Sequence, residues 1–342
     1  MQLPAGAYLK LDPSDEFMHP LGDAENFNES MYFNIYDAAG RVGGWFRIGN
    51  RANEGYAEMT VCIYLPDGSV GFMFQRAPIA NNEAFNAGGM QFVVDKPFER
   101  LTVTYAGEIL LLKNPQDMID PGKAFKANPR LPCSVELTYR GVSPMYGGEP
   151  VNADGSALQN NPNAGFYVGH YEQHIAGVGK IVMGGQAYAI EGLGLRDHSW
   201  GPRYWQNVKF YRWLPMSFSE DFAIMCLNKT LDDGRKLIGG MVLNKGRYDL
   251  IRDAKIESNW DDNYYQTSLT AWAKTDHAEY KIEGRVMSLI PLRNRRTLAD
   301  GTELLTRITE GMTEYRCNGL VGYGLSEYLD QMVDGKPIGM AS

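Results

Sequence analysis

No stretch of the 342-residue chain approaches the roughly 18 consecutive apolar residues that a membrane-spanning helix needs. The opening segment MQLPAGAYLKLDPSDEF has no basic region ahead of an apolar one, so nothing marks secretion and the cytoplasm is the expected compartment. Cysteine is sparse. Cys62, Cys133, Cys226 and Cys317 form no CxxC pair and sit mostly among apolar neighbours, which predicts reduced, buried thiols rather than disulfides or a zinc knuckle. Positive charge is short as well: 33 Lys and Arg against 41 Asp and Glu leave a net charge of −8, with no basic face for a nucleic acid. The one dense basic cluster, Arg293, Arg295 and Arg296, is expected in a solvated loop. GxSxG, Walker and HExxH motifs are all missing, which weighs against the common hydrolases, NTPases and zinc proteases. Gly192 and Gly194 in GLGLRD resemble a shortened dinucleotide turn, but Asp-His-Ser-Trp-Gly-Pro follows where a helix should open, so no redox cofactor is expected.

Amphipathic helical runs are scarce, the best candidate being the tail GLSEYLDQMV; a parallel sheet would need many of them. Period-two alternation takes their place. In EGYAEMTVCIYL, Gly55, Ala57, Met59, Val61, Ile63 and Leu65 share one face, and Tyr56, Glu58, Thr60, Cys62 and Tyr64 share the other. HAEYKIEGRVM and TSLTAWAK repeat the pattern. DAAGRVGG, LPDGS, DDGRK and ADGTE carry hairpin chemistry between such runs. The chain therefore reads as mainly β and antiparallel, in barrels or sandwiches. Its length suggests two domains, 1–180 and 181–342, with the polar stretch 146–165 as a linker or long loop.

Two stretches could carry chemistry. In GLGLRDHSWGPRYW, a strand would put Asp197 and Ser199 on one face and Arg196, His198 and Trp200 on the other, with Gly201-Pro202 expected to end it. His198 can exchange a proton near neutrality, with Asp197 to orient it. Trp200 and Trp205 offer wide π faces. The plainer alternative is a buried Arg–Asp pair pinning a tight turn. In GHYEQH, His170, Glu172 and His174 would project from one strand face in steps of about 7 Å; with His198 they could form a His/Glu metal site, or they could be a polar strand face.

These two stretches, together with EGMTEYRCNGLVGYGLSEYL and the N-terminal NESMYFNIYDAAGRVGGWFRIGNRANEGYAEMTVCIYLPDG, resemble the AttH-like group, related to the carotenoid 1,2-hydratases (hydroxyneurosporene synthases), over most of the chain. The resemblance implies two lipocalin-like antiparallel β-barrel domains in tandem around a greasy cavity. The wider set is similar to tocopherol cyclases and fungal Diels-Alderases, which handle large apolar molecules without redox cofactors. His198 and Trp200 match the His-x-Trp of the hydratases. The hydratases' Tyr-x-Asp, whose aspartate protonates an isolated double bond, is not matched: Met225 and Leu227 stand in its place, so any proton must come from Asp197, His198, Glu172 or a tail acid such as Glu314 or Glu327.

The expected function is cofactor-independent acid/base catalysis (hydration, dehydration, isomerisation or cyclisation) on a hydrophobic isoprenoid-like, polyketide-like or aromatic molecule. His198, Asp197, Glu172 and Glu327 are the candidate catalytic residues. Trp200, Arg203, Tyr204, Trp205, His170 and Tyr323 are the candidate substrate contacts, Arg203 holding an anionic or carbonyl group. The alternatives are a lipocalin-like carrier of an apolar ligand and a metal-dependent lyase or dioxygenase built on His170, Glu172 and His174. The expected partner is a small hydrophobic molecule, with neither nucleic acid nor an integral membrane segment, and the barrels could pair within one chain or across a homodimer.

Overall fold

The computed structural model describes residues 4–158, 165–298 and 300–341. Eight strands, β1 (Phe27–Asp37), β2 (Val42–Arg51), β3 (Tyr56–Tyr64), β4 (Val70–Pro78), β5 (Arg100–Leu112), β6 (Arg130–Gly141), β7 (Gly169–Met183) and β8 (Gln186–Pro202), follow one another in the first sheet. Each pairs antiparallel with the next, and β8 returns to β1. The ring is thereby closed as an up-and-down barrel, which leaves its principal strands no open edge. Short strands, Tyr8–Lys10, Asn86–Ala87, Met90–Lys96 and Tyr146–Val151, extend it.

The second sheet repeats the plan with β9 (Val208–Ser217), β10 (Phe222–Leu231), β11 (Lys236–Asn244), β12 (Asp253–Trp260), β13 (Gln266–Lys274), β14 (Glu279–Thr297), β15 (Glu303–Cys317) and β16 (Leu320–Val333). Its first and last strands, β9 and β16, pair with each other. The ladder is interrupted instead between β11 and β12, where Arg247–Leu250 pairs with β11 and the Ile251 N–H donates to the Gly240 carbonyl at 3.0 Å. Both sheets are antiparallel and the fold is mainly β, as two lipocalin-like units in tandem.

Alternation explains the layers. On β3, Met59, Val61 and Ile63 point into the interior of the first barrel, while Cys62 and Tyr64 join an apolar layer shared with Trp213, Met225, Ile290, Met312 and Leu329 of the second sheet. Leu214, Ile224, Val242, Ile256, Leu269 and Ile282 fill the second interior. All four cysteines are buried and free.

Four expectations need correction. The tail around GLSEYLDQMV is not helical but forms β16, because pairing on both edges, with β9 and β15, overrides its local helix pattern. The stretch 146–165 does not join domains: 146–151 is a strand of the first sheet, 159–164 lie outside the described residues, and the chain goes on to β7 in the same sheet. The first sheet runs on to Pro202 and the second begins at Val208, so the crossing falls at 203–207 and not at 180; Gly184-Gly185 is a hairpin turn inside the first sheet. Arg293, Arg295 and Arg296 lie on β14 rather than in a loop.

Candidate active site

A cavity of about 650 Å³ lies between the two sheets, within the range of small-molecule sites. Two tight hairpins set its polar wall. Gly184 and Gly185, both in the left-handed region, turn β7 into β8 and make Met183 face Gln186. Counting back along the ladder puts Glu172 opposite Asp197 and His170 opposite Ser199, all four on the cavity side. Asn318 and Gly319, with φ of +51° and +76°, do the same for β15 and β16. That register places Glu310 directly across from Glu327, and both line the cavity. Tyr211 and Trp213 come from β9, Met225, Leu227 and Lys229 from β10, and Tyr32, Trp45, Arg47 and Glu58 from β1, β2 and β3.

Strand β9 supplies a hydrogen-bond donor to each pair of acids. Glu172 Oε1 accepts from the Trp213 indole N–H at 2.9 Å, across the sheet boundary, and meets His170 Nε2 at 3.2 Å. Tyr211 donates to Glu327 Oε1. Oε2 of Glu172 and Oε2 of Glu310 are buried without a hydrogen-bond partner among the described residues. Burial, reinforced by the carboxyl group of Glu327, pushes Glu310 well above the usual carboxylate range. Burial likewise lifts Glu327 to about 7, despite its bond from Tyr211. Asp197 is raised by burial and by Glu172, against the pull of His170 and Arg203. Such groups keep protons at a pH where exposed carboxyls have lost them. The cationic side is also desolvated: burial and Arg203 draw Lys229 down to about 7, and burial and Arg47 draw Arg203 down to about 10. Arg203 Nη2 donates to Ser199 Oγ at 2.7 Å, which fixes its head beside Asp197's strand.

Of the residues singled out from sequence, Asp197, Glu172, Glu327, His170, Arg203 and Trp205 line this cavity. His198 and Trp200 do not. Both belong to β8, which ends at Pro202, and its alternation turns their side chains to the face away from Asp197 and Ser199, against His19 and Phe85. Tyr204 is partly exposed beneath Arg296, Tyr323 packs on Tyr36 with ring centroids 4.8 Å apart, and Glu314 pairs with Arg285 and Arg316 outside the cavity. His170 and Glu172 meet at 3.2 Å, but among the described residues His174 does not join them as a third ligand, and both its ring nitrogens are buried there without hydrogen-bond partners. Burial drops His174 to about 3. Sequence reasoning missed Glu310, Lys229, Arg47, Tyr211 and Trp213. The Asn-Gly turn at 318–319 was the available signal for Glu310, since it fixes which residues face each other.

Three solved structures share the fold over nearly the whole chain at very low identity. One is a protein assigned as AttH from Nitrosomonas europaea, with 11% identity and a TM-score of 0.62, covering 96% of this chain and 98% of its own. The second is CghA with Sch210972, with 9% identity and a TM-score of 0.54, covering 96% and 97%. The third is kievitone hydratase from Nectria haematococca, with 9% identity and a TM-score of 0.51, covering 89% and 88%. No curated protein matches the chain. A family model spans residues 12–332, so the chain belongs to the family described as "domain of unknown function (DUF7064)".

Proposed function

We propose that the protein is an acid/base enzyme acting on a hydrophobic small molecule by hydration, dehydration, isomerisation or cyclisation, with no redox cofactor. The observation that carries this reading is the buried Glu310–Glu327 pair in the wall of an apolar cavity, one carboxyl of which is held at about 7. Two facing carboxyls in low dielectric cannot both ionise, so one keeps a proton and can donate it to an uncharged double bond or leaving hydroxyl. Tyr211 orients Glu327 for that transfer. Glu172, braced by Trp213 and His170, and its cross-strand neighbour Asp197 stand on the opposing sheet; there a carboxylate would take up a proton or stabilise cationic charge that develops in the substrate. Arg203 would hold a carbonyl or anionic group, and Trp205, Trp45 and Trp213 supply aromatic faces. Support also comes from the names of two proteins of the same fold, one a hydratase and the other solved with a bound compound, Sch210972.

The test is incubation of the purified protein with a panel of polyenes and prenylated phenols in D₂O, read by mass spectrometry for deuterium uptake or gain or loss of water. Deuterium incorporation or a change of one water in wild type, reduced about 10²–10⁴-fold in a folded Glu327→Gln variant, is the expected result. A ligand recovered unchanged from wild type would leave a carrier. Turnover undiminished in Glu327→Gln would remove the dyad as the proton source.

A further inference from the structure

The His-x-Trp motif, which the cavity does not use, takes part in a second constellation on the other face of β8. His19, from the segment that precedes β1, Glu29 of β1 and His198 of β8 bring their donor atoms within 4.8 Å of one another. Glu29 Oε1 lies 2.7 Å from His19 Nδ1 and 3.0 Å from His198 Nε2. Both Glu29 and His198 are fully buried at the side chain, and His19 is 16% exposed.

The surrounding hydrogen bonds fix which way each group points. Tyr171 has a single hydroxyl proton, and it goes to Glu16, whose carboxylate is clamped by Arg196 at 2.7 and 3.1 Å. The Tyr171 oxygen is then left as an acceptor for His198 Nδ1, 3.0 Å away. A neutral His198 holding its proton on Nδ1 aims the Nε2 lone pair at a carboxylate oxygen. Two lone pairs at 3.0 Å repel unless a cation sits between them, and that cation is either an extra proton or a metal ion. His19 repeats the arrangement, with Nδ1 toward Glu29 and Nε2 facing Asp15 Oδ1 at 3.5 Å. Glu29 Oε2 is held by Asn82 at 2.6 Å and by the His19 backbone N–H at 3.0 Å, and Asn82 in turn by Asn50 at 3.1 Å. Glu29 and His198 thus have outer hydrogen-bond partners of the kind that orient metal ligands, and the Asp15 carboxylate stands 3.5 Å from the outer nitrogen of His19. Trp200, stacked on His19 with centroids 3.8 Å apart, and Phe85, edge-on to His198, supply a dry apolar collar.

We propose that His19, Glu29 and His198 form a two-histidine, one-carboxylate site for a divalent transition metal, zinc first, that pins the N-terminal segment to the barrel. Two imidazoles and a carboxylate suit zinc, and bonds of about 2.0–2.1 Å would separate the ligand atoms by roughly 3.3 Å, slightly more than now. Rotation of the partly exposed His19 would widen its 2.7 Å approach to Glu29 toward that spacing, and His198, at 3.0 Å, needs only a shift of a few tenths of an ångström. The site is separate from the cavity and does not depend on the reaction assigned there.

The experiment is titration of chelator-stripped full-length protein with ZnCl₂, and in parallel with CoCl₂ followed by visible absorption. One metal per chain at micromolar or lower concentration, with the visible bands of nitrogen- and oxygen-ligated cobalt, is expected. Binding should weaken more than about 100-fold in His19→Ala, beyond the 10–100-fold typical of outer partners, and stay unchanged in His277→Ala, whose side chain is 74% exposed. Because removing His19 can loosen the N-terminal segment, ¹⁵N NMR of the wild-type histidines gives a second readout: loss of the His198 Nε2 proton on adding zinc supports the site. Retention of that proton, absence of saturable uptake, or uptake equal in His19→Ala would each overturn it in favour of a protonated His198.

Discussion

At the scale of single residues, the chain treats its buried acids in two opposite ways. Glu29 is desolvated, yet its close contacts with the rings of His19 and His198 outweigh that cost and hold it at about 2. Glu327 receives the Tyr211 hydroxyl but faces another acid, so burial prevails and it rises to about 7. The raised value has a sign that can be checked. Between its ordinary value of 4.5 and about 7, Glu327 keeps its proton in the native state and loses it when unfolded, so this residue makes stability fall as pH rises through that window. His174, held at about 3 from an ordinary 6.5, acts oppositely: the unfolded chain binds a proton the native one refuses, and stability falls as pH drops from 6.5 toward 3. The two partly cancel in wild type. Comparing urea denaturation of wild type and Glu327→Gln at pH 5 and pH 8 isolates the acid: the variant should lose less stability than wild type on going to pH 8. Catalysis that needs protonated Glu327 should likewise decline above about pH 7, provided the proton is the limiting one.

At the scale of elements, the hairpins decide the site, and this is also where the sequence was most readable. Antiparallel strands, short turns and the absence of helical crossovers followed from period two and from Asn, Asp and Gly at the turns. Asp197 and Glu172 were within reach because both sit on strongly patterned strands. Glu310 was missed because its role comes from the residue across the ladder, 17 positions away, and only the register of the Asn318-Gly319 turn relates the two. Lys229 and Arg47 were missed for a different reason: a lone basic residue in a strand carries no sign that the opposite sheet will bury it. His198 was misplaced because it was coupled to its neighbour Asp197, although alternation along β8 sends the two side chains to opposite faces and only Asp197 reaches the cavity; Pro202 ends β8, where its missing N–H costs the ladder little. Close approach of β7 and β8 depends on Gly169, whose absent Cβ would lie 2.1 Å from Trp200 Cζ2. Gly169→Ala should therefore push the indole off His19 and lower stability by about 1–3 kcal/mol, visible as a drop in Tm and a shift in tryptophan fluorescence. An unchanged Tm would mean that β7 moves aside freely, against the tight pairing of Gly169 with Trp200.

At the scale of the whole molecule, the two barrels are not independent units that happen to be joined. Tyr32, Trp45, Tyr64, Phe72 and Leu195 of the first sheet share one apolar layer with Val208, Trp213, Met241, Met312 and Leu325 of the second. Polar groups cross the same boundary: Tyr64 donates to the Glu310 carbonyl at 3.0 Å and Trp213 to Glu172 at 2.9 Å. Cutting the chain at 203–207 would expose this layer on both pieces and leave Glu172 and Glu310 facing water with different partners. Apolar patches of that kind drive association rather than stable monomers. The expected outcome is that wild type unfolds in one cooperative transition by calorimetry, with equal van't Hoff and calorimetric enthalpies, and that neither 1–204 nor 205–342 expressed alone shows one. Trp213→Phe, which keeps the ring but removes the donor to a buried carboxylate, should destabilise the whole chain by about 1–3 kcal/mol and move that single transition without splitting it. Two separated transitions, or a stable isolated half, would show instead that each barrel is held by its own interior and that the cavity between them is a loose contact, too mobile to keep Glu327 and Glu172 in fixed opposition.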